Sequence, residues 1–141
     1  MAMAKYPQHA ALDPFFALMM EGLKGHVDGD HYFDAIAEDA EFELLYRFPG
    51  WPEKIHGREK LIAAYSGYGN SIEVQKCDGL DVHYDRGKSV LVLEYEVHGK
   101  ILRTSGSYEN RFVSVVTIRN RKIVRWRDYM ASLAAWNALN T

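Results

Sequence analysis

One carboxylate in this chain sits among aromatic and apolar neighbours near the end of a strand-like run, Lys122-Ile123-Val124-Arg125-Trp126-Arg127-Asp128-Tyr129. Period-two alternation sends Val124, Trp126 and Asp128 to one face and Arg125, Arg127 and Tyr129 to the other. An Asp that points into a cavity loses its water, so its charged form is disfavoured and its pKa climbs toward the range useful for moving protons. The same residue also has plain structural uses: capping a following helix over Ala131 to Leu139, or pairing with an arginine. Glu94, Glu96 and His98 alternate on one strand face and offer two carboxylates and an imidazole. His26, Asp28, Asp30 and His31 gather ligand types, but at spacings that match no standard zinc or calcium loop; a solvated connection with Asp30 as N-cap accounts for them, and no metal site is expected. The basic residues Arg119, Arg121, Lys122, Arg125 and Arg127 lack interleaved stacking aromatics, which favours a solvated hairpin over an RNA platform. No Gly-rich phosphate cradle, Ser nucleophile elbow or Cys/His nucleophile occurs, so no cofactor is expected and acyl-enzyme chemistry is disfavoured.

The elements that must position Asp128 follow from pattern. With 141 residues, 48% hydrophobic and 13% aromatic, the chain has enough apolar side chains for one real core, and it reads as a single domain over 1–141. A net charge of -2 gives no drive toward nucleic acid or an anionic membrane. The lone Cys77 excludes an internal disulfide, and no apolar run approaches a membrane span, so a cytoplasmic location is expected. Asp13-Pro14 opens a helix through about Lys24, Asp28-Gly29-Asp30 leads into a short helix bearing Tyr32, Phe33 and Ile36, and a third helix runs from about Arg58 to Tyr68. Glu41 to Phe48 alternates as a half-buried strand through Phe42, Leu44 and Tyr46. Further strands are predicted over about Ile72–Tyr84, Val90–His98, Ser107–Arg119 and Ile123–Tyr129, joined by short turns. The fold class is α+β: a curved, mixed, mostly antiparallel sheet wrapped around three N-terminal helices, leaving a cone-shaped pocket.

This order of elements, with Ile55-His56-Gly57-Arg58-Glu59-Lys60-Leu61, Leu93-Glu94-Tyr95-Glu96-Val97-His98-Gly99-Lys100 and Tyr108-Glu109-Asn110-Arg111-Phe112, resembles the SnoaL-like branch of the nuclear-transport-factor-2-like superfamily. Within it the chain looks most like the phenazine-biosynthesis A/B proteins. The resemblance places Tyr108 at their pocket tyrosine and Asp128 at their glutamate acid, and Trp126-Arg127-Asp128-Tyr129 is similar to the limonene epoxide hydrolase segment whose aspartate carries a proton. Ala64 and Tyr68 stand where the phenazine proteins have a histidine and a serine; Phe42, Leu44, Tyr95 and Val97 replace the hydrolase's other polar residues. With Tyr108 and Asp128 inward, Glu109, Arg111, Arg125 and Arg127 face outward, where Glu94 and Glu96 suit them as cross-strand partners. The resemblance also implies a homodimer formed through that side of the sheet.

Phenol and carboxyl in one apolar cavity can polarise a carbonyl and move a proton beside it, with Asn110 as a further donor. Trp126, Phe42, Tyr65 and Tyr68 are expected to form the pocket wall, and Trp51 and His56 to border its mouth. The expected function is therefore a small cofactor-independent isomerase, cyclase or dehydratase-like enzyme acting on a hydrophobic cyclic or polyketide-type carbonyl compound. The alternative is a noncatalytic small-molecule-binding or dimerisation module with the same fold.

Overall fold

Strict alternation in the second half of the chain builds most of the sheet. The computed structural model describes residues 6–45 and 48–140. Strands β1 (Ile36–Leu44), β2 (Lys54–His56), β3 (Ile72–Asp85), β4 (Val90–Ile101), β5 (Ser107–Arg119) and β6 (Lys122–Met130) form one curved sheet in the order β2-β1-β6-β5-β4-β3. Every neighbouring pair is antiparallel except β1 and β6, which run parallel. Along β5 the residues Tyr108, Asn110, Phe112, Ser114 and Val116 are buried, alternating with exposed or half-buried ones. The turn from β5 to β6 places Asn120 (φ 49°) and Arg121 (φ 61°) in the left-handed region, as a tight two-residue hairpin requires. Arg121 is held there by Asp28 Oδ1 at 2.6 Å and by the Gly25 and Val27 carbonyls. Lys122 Nζ likewise donates to the Asp28 and Asp34 carbonyls, so this part of the basic run fastens the hairpin to the helical layer.

Two glycines shape the sheet. Gly79 (φ +67°) lies in a register shift of β3 between Asp78 and Asp81, a bulge of the type that bends a strand. A Cβ on Gly99 would sit 2.4 Å from the Glu73 carbonyl oxygen, so the close approach of β3 to β4 requires glycine.

The helices cover one face. A short 3₁₀ turn, Pro7–Leu12, precedes α1 (Asp13–Leu23), which has Pro14 in its first turn and buries Phe15, Phe16, Leu18, Met19 and Leu23. The short helix at Tyr32–Ala35 is 3₁₀, and its cap is His31, whose Nδ1 accepts the Phe33 N–H at 3.0 Å; Asp30 does not cap it. Helix α2 (Arg58–Ser71) runs three residues past its expected end, and α3 (Ser132–Leu139) follows β6. Strand β1 begins at Ile36, five residues earlier than alternation suggests, because a register shift between Ile36 and Glu41 lets polar Glu38 and Asp39 interrupt the pattern. It ends at Leu44. Tyr46 lies outside the described residues, and Phe48 is buried beyond the strand. Edge strand β2, not foreseen in the sequence, pairs Ile55 with Phe42. No helix among the described residues is long and apolar enough to cross a membrane.

The two long helices differ in a way that makes a hollow. Helix α1 plugs into the core, whereas α2 fully buries only Leu61 and leaves Tyr65 and Tyr68 half-buried. Between the inner side of α2 and the sheet the space is not filled.

Candidate active site

The hollow is a cavity of about 420 Å³, within the size range of small-molecule sites. Its wall is apolar: Phe42 and Leu44 come from β1, Val97 from β4, Phe112 from β5, Met130 from β6 and Phe15 from α1. Helix α2 contributes Leu61, Ala64, Tyr65 and Tyr68, and the exposed loop residues Gly50, Trp51 and Pro52 border the mouth. Among the described residues Asp128 is the one carboxyl on this lining, beside the phenols of Tyr65 and Tyr68. It faces inward by the parity of β6, although that alternation slips at the start of the strand: Ile123 is fully buried and Val124 only half-buried, next to a register shift against β5.

Pairing puts donors around the carboxylate. Asp128 stands opposite Ser114 on β5 and Leu44 on β1, while Trp126 stands opposite Phe42. Ser114 Oγ–H and Trp126 Nε1–H both donate to Asp128 Oδ1, each at 2.6 Å. Behind Ser114 the Tyr95 hydroxyl lies 2.7 Å from Oγ, and its ring stacks on Phe112 with 5.5 Å between centroids. The Trp126 indole is wholly buried, stacked on Phe42 and met edge-on by Tyr32, whose hydroxyl is 2.8 Å from that of Tyr65. Burial pushes the Asp128 carboxyl from its ordinary 3.8 up to about 6, against the opposing pull of the Ser114 and Trp126 bonds. Burial likewise raises the Tyr32 and Tyr95 phenols well above their usual range, with the charge of Asp128 adding to both, so they remain protonated donors.

Of the residues singled out in the sequence, Asp128, Phe42, Tyr65, Tyr68 and Trp51 line the cavity. Four others do not. Trp126 supports the wall from behind. Tyr108 is buried outside the lining, accepting the Asn110 Nδ2–H at 2.8 Å and hydrogen-bonded to Tyr68; Asn110 Oδ1 accepts the Arg111 N–H. Tyr108 has the inward parity expected of it, but it pairs with Gly99, whereas Ser114, the partner of Asp128, lies six residues further along β5. At about 3.3 Å per residue that is roughly 20 Å along an extended strand, and Tyr108 meets the cavity wall through its hydrogen bond to Tyr68. His56 is exposed on β2, away from the lining. Ser114, Tyr95 and Tyr32 were not foreseen as site residues; the available signal was a hydroxyl at an inward position in the run Phe112-Ser114-Val116, beside the strand carrying the acid.

The other constellations resolve elsewhere. Glu96 faces Arg111 at 3.9 Å, His98 lies between Asp78 (2.8 Å) and Glu109, and Arg125 pairs with Glu43 of β1 at 2.7 Å. His83 Nε2 lies 2.8 Å from Glu94 and 3.6 Å from Asp81, and this exposed trio brings its ligand atoms within 4.8 Å of one another across β3 and β4. The residues His26, Asp28 and His31 go to separate partners: Asp28 pairs with Arg121, His26 packs on Tyr84, and His31 caps the 3₁₀ turn. Burial, with the charge of Asp78, pushes the Cys77 thiol up to about 12 and leaves it a poor nucleophile.

Known proteins are similar to this chain in sequence and fold. The uncharacterised Bacillus subtilis protein YesE is 27% identical over 128 residues, which is 91% of this chain and 80% of YesE. A candidate isomerase from Bacillus subtilis superposes with a TM-score of 0.74 at 25% identity, covering 96% of this chain and 95% of its own. A phenazine biosynthesis-related protein from Pseudomonas aeruginosa gives 0.66 at 25% identity, covering 76% and 71%. A candidate polyketide cyclase from Pseudomonas putida gives 0.69 at 15% identity, covering 96% and 99%, a likeness of fold alone. The profile of the SnoaL-like domain matches residues 15–126, four-fifths of the chain and all of its sheet up to Trp126, and the chain accordingly belongs to the SnoaL-like domain family.

Proposed function

We propose that the protein is a small acid–base enzyme of isomerase, cyclase or dehydratase type, needing no cofactor and acting on a hydrophobic cyclic or polyketide-type carbonyl compound. The observation that carries this reading is a lone carboxyl raised to about 6 on the wall of an otherwise apolar cavity. A carboxyl so placed is a base strong enough to take a proton from carbon beside a carbonyl and an acid strong enough to return it near neutral pH. In the forward step the C–H proton passes to Asp128 and the bonding electrons move onto the carbonyl oxygen as an enolate. The phenols on the cavity wall, Tyr65 and Tyr68, supply the hydrogen bond to that oxygen, and Tyr108 with Asn110 acts from behind Tyr68. Among the described residues the lining offers no arginine, lysine or histidine, which suits a ligand without carboxylate or phosphate groups. The alternating acids and arginines on the outer face of the sheet are proposed to meet a second copy of the chain.

Deuterium exchange tests the reading. A panel of apolar cyclic ketones in D2O should lose α-protons faster with the protein than without it, and Asp128→Asn should lower that rate by about 10²–10⁴-fold. Undiminished exchange in the variant removes Asp128 from the chemistry. A noncatalytic binding module would bind the same ketones and exchange none of them, an outcome that the remote position of Tyr108 makes worth measuring directly.

A further inference from the structure

The two donors on Asp128 converge on the same oxygen, Oδ1, and neither can reverse. An indole N–H only donates, so Trp126 keeps Oδ1 in the acceptor role at 2.6 Å. Ser114 has one hydroxyl proton and directs it to Oδ1 at 2.6 Å, so the short contact between Ser114 Oγ and the Tyr95 hydroxyl must be a bond donated by Tyr95. Were Oδ1 to carry the proton, Ser114 would have to turn its own hydrogen toward Tyr95, and the Tyr95 hydrogen would then need another acceptor. The Tyr95 hydroxyl has none among the described residues: Ser114 is its one hydrogen-bond partner, and Phe112 and Phe15 pack on its ring. Ser114 and Tyr95 are themselves buried and absent from the cavity lining, so they act on a ligand only through Asp128.

We infer that Tyr95 and Ser114 are positioning residues that, together with Trp126, confine proton exchange to Asp128 Oδ2, the oxygen that receives no hydrogen bond from the described residues. The one-way chain Tyr95 to Ser114 to Oδ1 keeps the same direction whether Oδ2 is bare or protonated, so no hydrogen bond has to be rebuilt during a proton transfer. The proton balance is simple: the proton leaving the ligand's carbon becomes the hydrogen on Oδ2, and the Tyr95 and Ser114 protons stay on their own oxygens. This inference rests on the reading of Asp128 as the acid–base group, but its test does not need a substrate.

The measurement is a carboxyl titration of ligand-free protein with ¹³C-labelled aspartate, for the wild type, Ser114→Ala and Tyr95→Phe. Loss of a charge-assisted donor from Oδ1 should raise the Asp128 midpoint by about one pH unit in Ser114→Ala. Tyr95→Phe, which keeps the ring and its packing, should raise it by a smaller amount, since Ser114 remains but is no longer held in one rotamer. The C=O stretch of protonated Asp128, recorded as an infrared difference, should move to higher wavenumber in both variants because the carbonyl oxygen is Oδ1. An unchanged midpoint and stretch in Tyr95→Phe overturns the inference even if Ser114→Ala fails to fold. The two ideas fail separately: shifted titrations alongside undiminished ketone exchange in Asp128→Asn would leave the positioning intact and sink the enzyme reading.

Discussion

At the scale of the residue, the proposed chemistry gathers on one carboxyl whose environment works against its charge. A carboxyl at about 6 in the folded chain and near 3.8 when unfolded binds its proton more tightly in the folded state. The protonated form is tolerated below pH 4, so the burden of Asp128 on stability is absent there, grows as pH rises from about 4 to 6, and is complete above 6. Its full size is about 3 kcal/mol, at about 1.4 kcal/mol per pH unit. Glu43, held low by Arg125, and Asp78, held low chiefly by His98, slope the opposite way, so the effect is read by difference. Urea unfolding should find Asp128→Asn no less stable than wild type above pH 6, with that advantage vanishing near pH 4; a constant difference across this range contradicts the buried titration. The inward turn of Asp128 was legible because strand parity is local. The distance to Tyr108 was not, because parity gives the face of a strand and says nothing of depth along it. Ser114 escaped notice for a related reason, since a serine between Phe112 and Val116 reads as a gap in an apolar run until the neighbouring strand is in register.

At the scale of the element, helix α2 is the cavity wall that faces the sheet. Its weak amphipathicity in sequence reflects its job, for only Leu61 enters the core while Ala64, Tyr65 and Tyr68 face the cavity. Ala64→Trp should therefore fill the cavity at a cost of roughly half a kcal/mol or less, while abolishing binding of apolar ketones measured by calorimetry. The tight seam between β3 and β4 predicts the reverse profile: Gly99→Ala forces a methyl against the Glu73 carbonyl and should destabilise the fold by about 3 kcal/mol or more in chemical denaturation. The long strands β3 to β6 were readable to within a few residues from alternation and turn chemistry. The start of β1 and the whole of β2 were hidden, the first by polar Glu38 and Asp39 at an irregular pairing, the second because three residues after Trp51-Pro52 carry too little pattern to mark a strand. The cap at His31 was missed because an imidazole serves there where an aspartate is the usual choice.

At the scale of the whole molecule, the sheet separates two kinds of polar chemistry. Its inner side keeps one desolvated acid; its outer side spreads many solvated ones into cross-strand pairs. His98, bracketed by Asp78 and Glu109, has its pKa raised by both, so its contribution is fully present below the unfolded value of about 6.5 and is lost as pH rises through the folded one. Histidine proton resonances should show His98 titrating above the ordinary range, and Glu109→Gln should bring it down. An acid and base lattice of this kind, if it meets a second copy, should give a dimer in sedimentation whose dissociation increases with salt. Chain-distant residues decide both sides, which is why metal-ligand types adjacent in sequence came apart in space while Asp81, His83 and Glu94 came together.

The parallel pairing of β1 with β6 joins residues 36–44 to residues 122–130. During synthesis, Phe42 and Leu44 emerge before Trp126 and Asp128, so the cavity wall cannot close until β6 has left the ribosome. Contacts of such long sequence separation slow folding, and the apolar edge of β1 is meanwhile open to intruders. The parallel pairing thus leaves the cavity wall incomplete until two strands distant in sequence have met, which makes the cavity a late feature of folding.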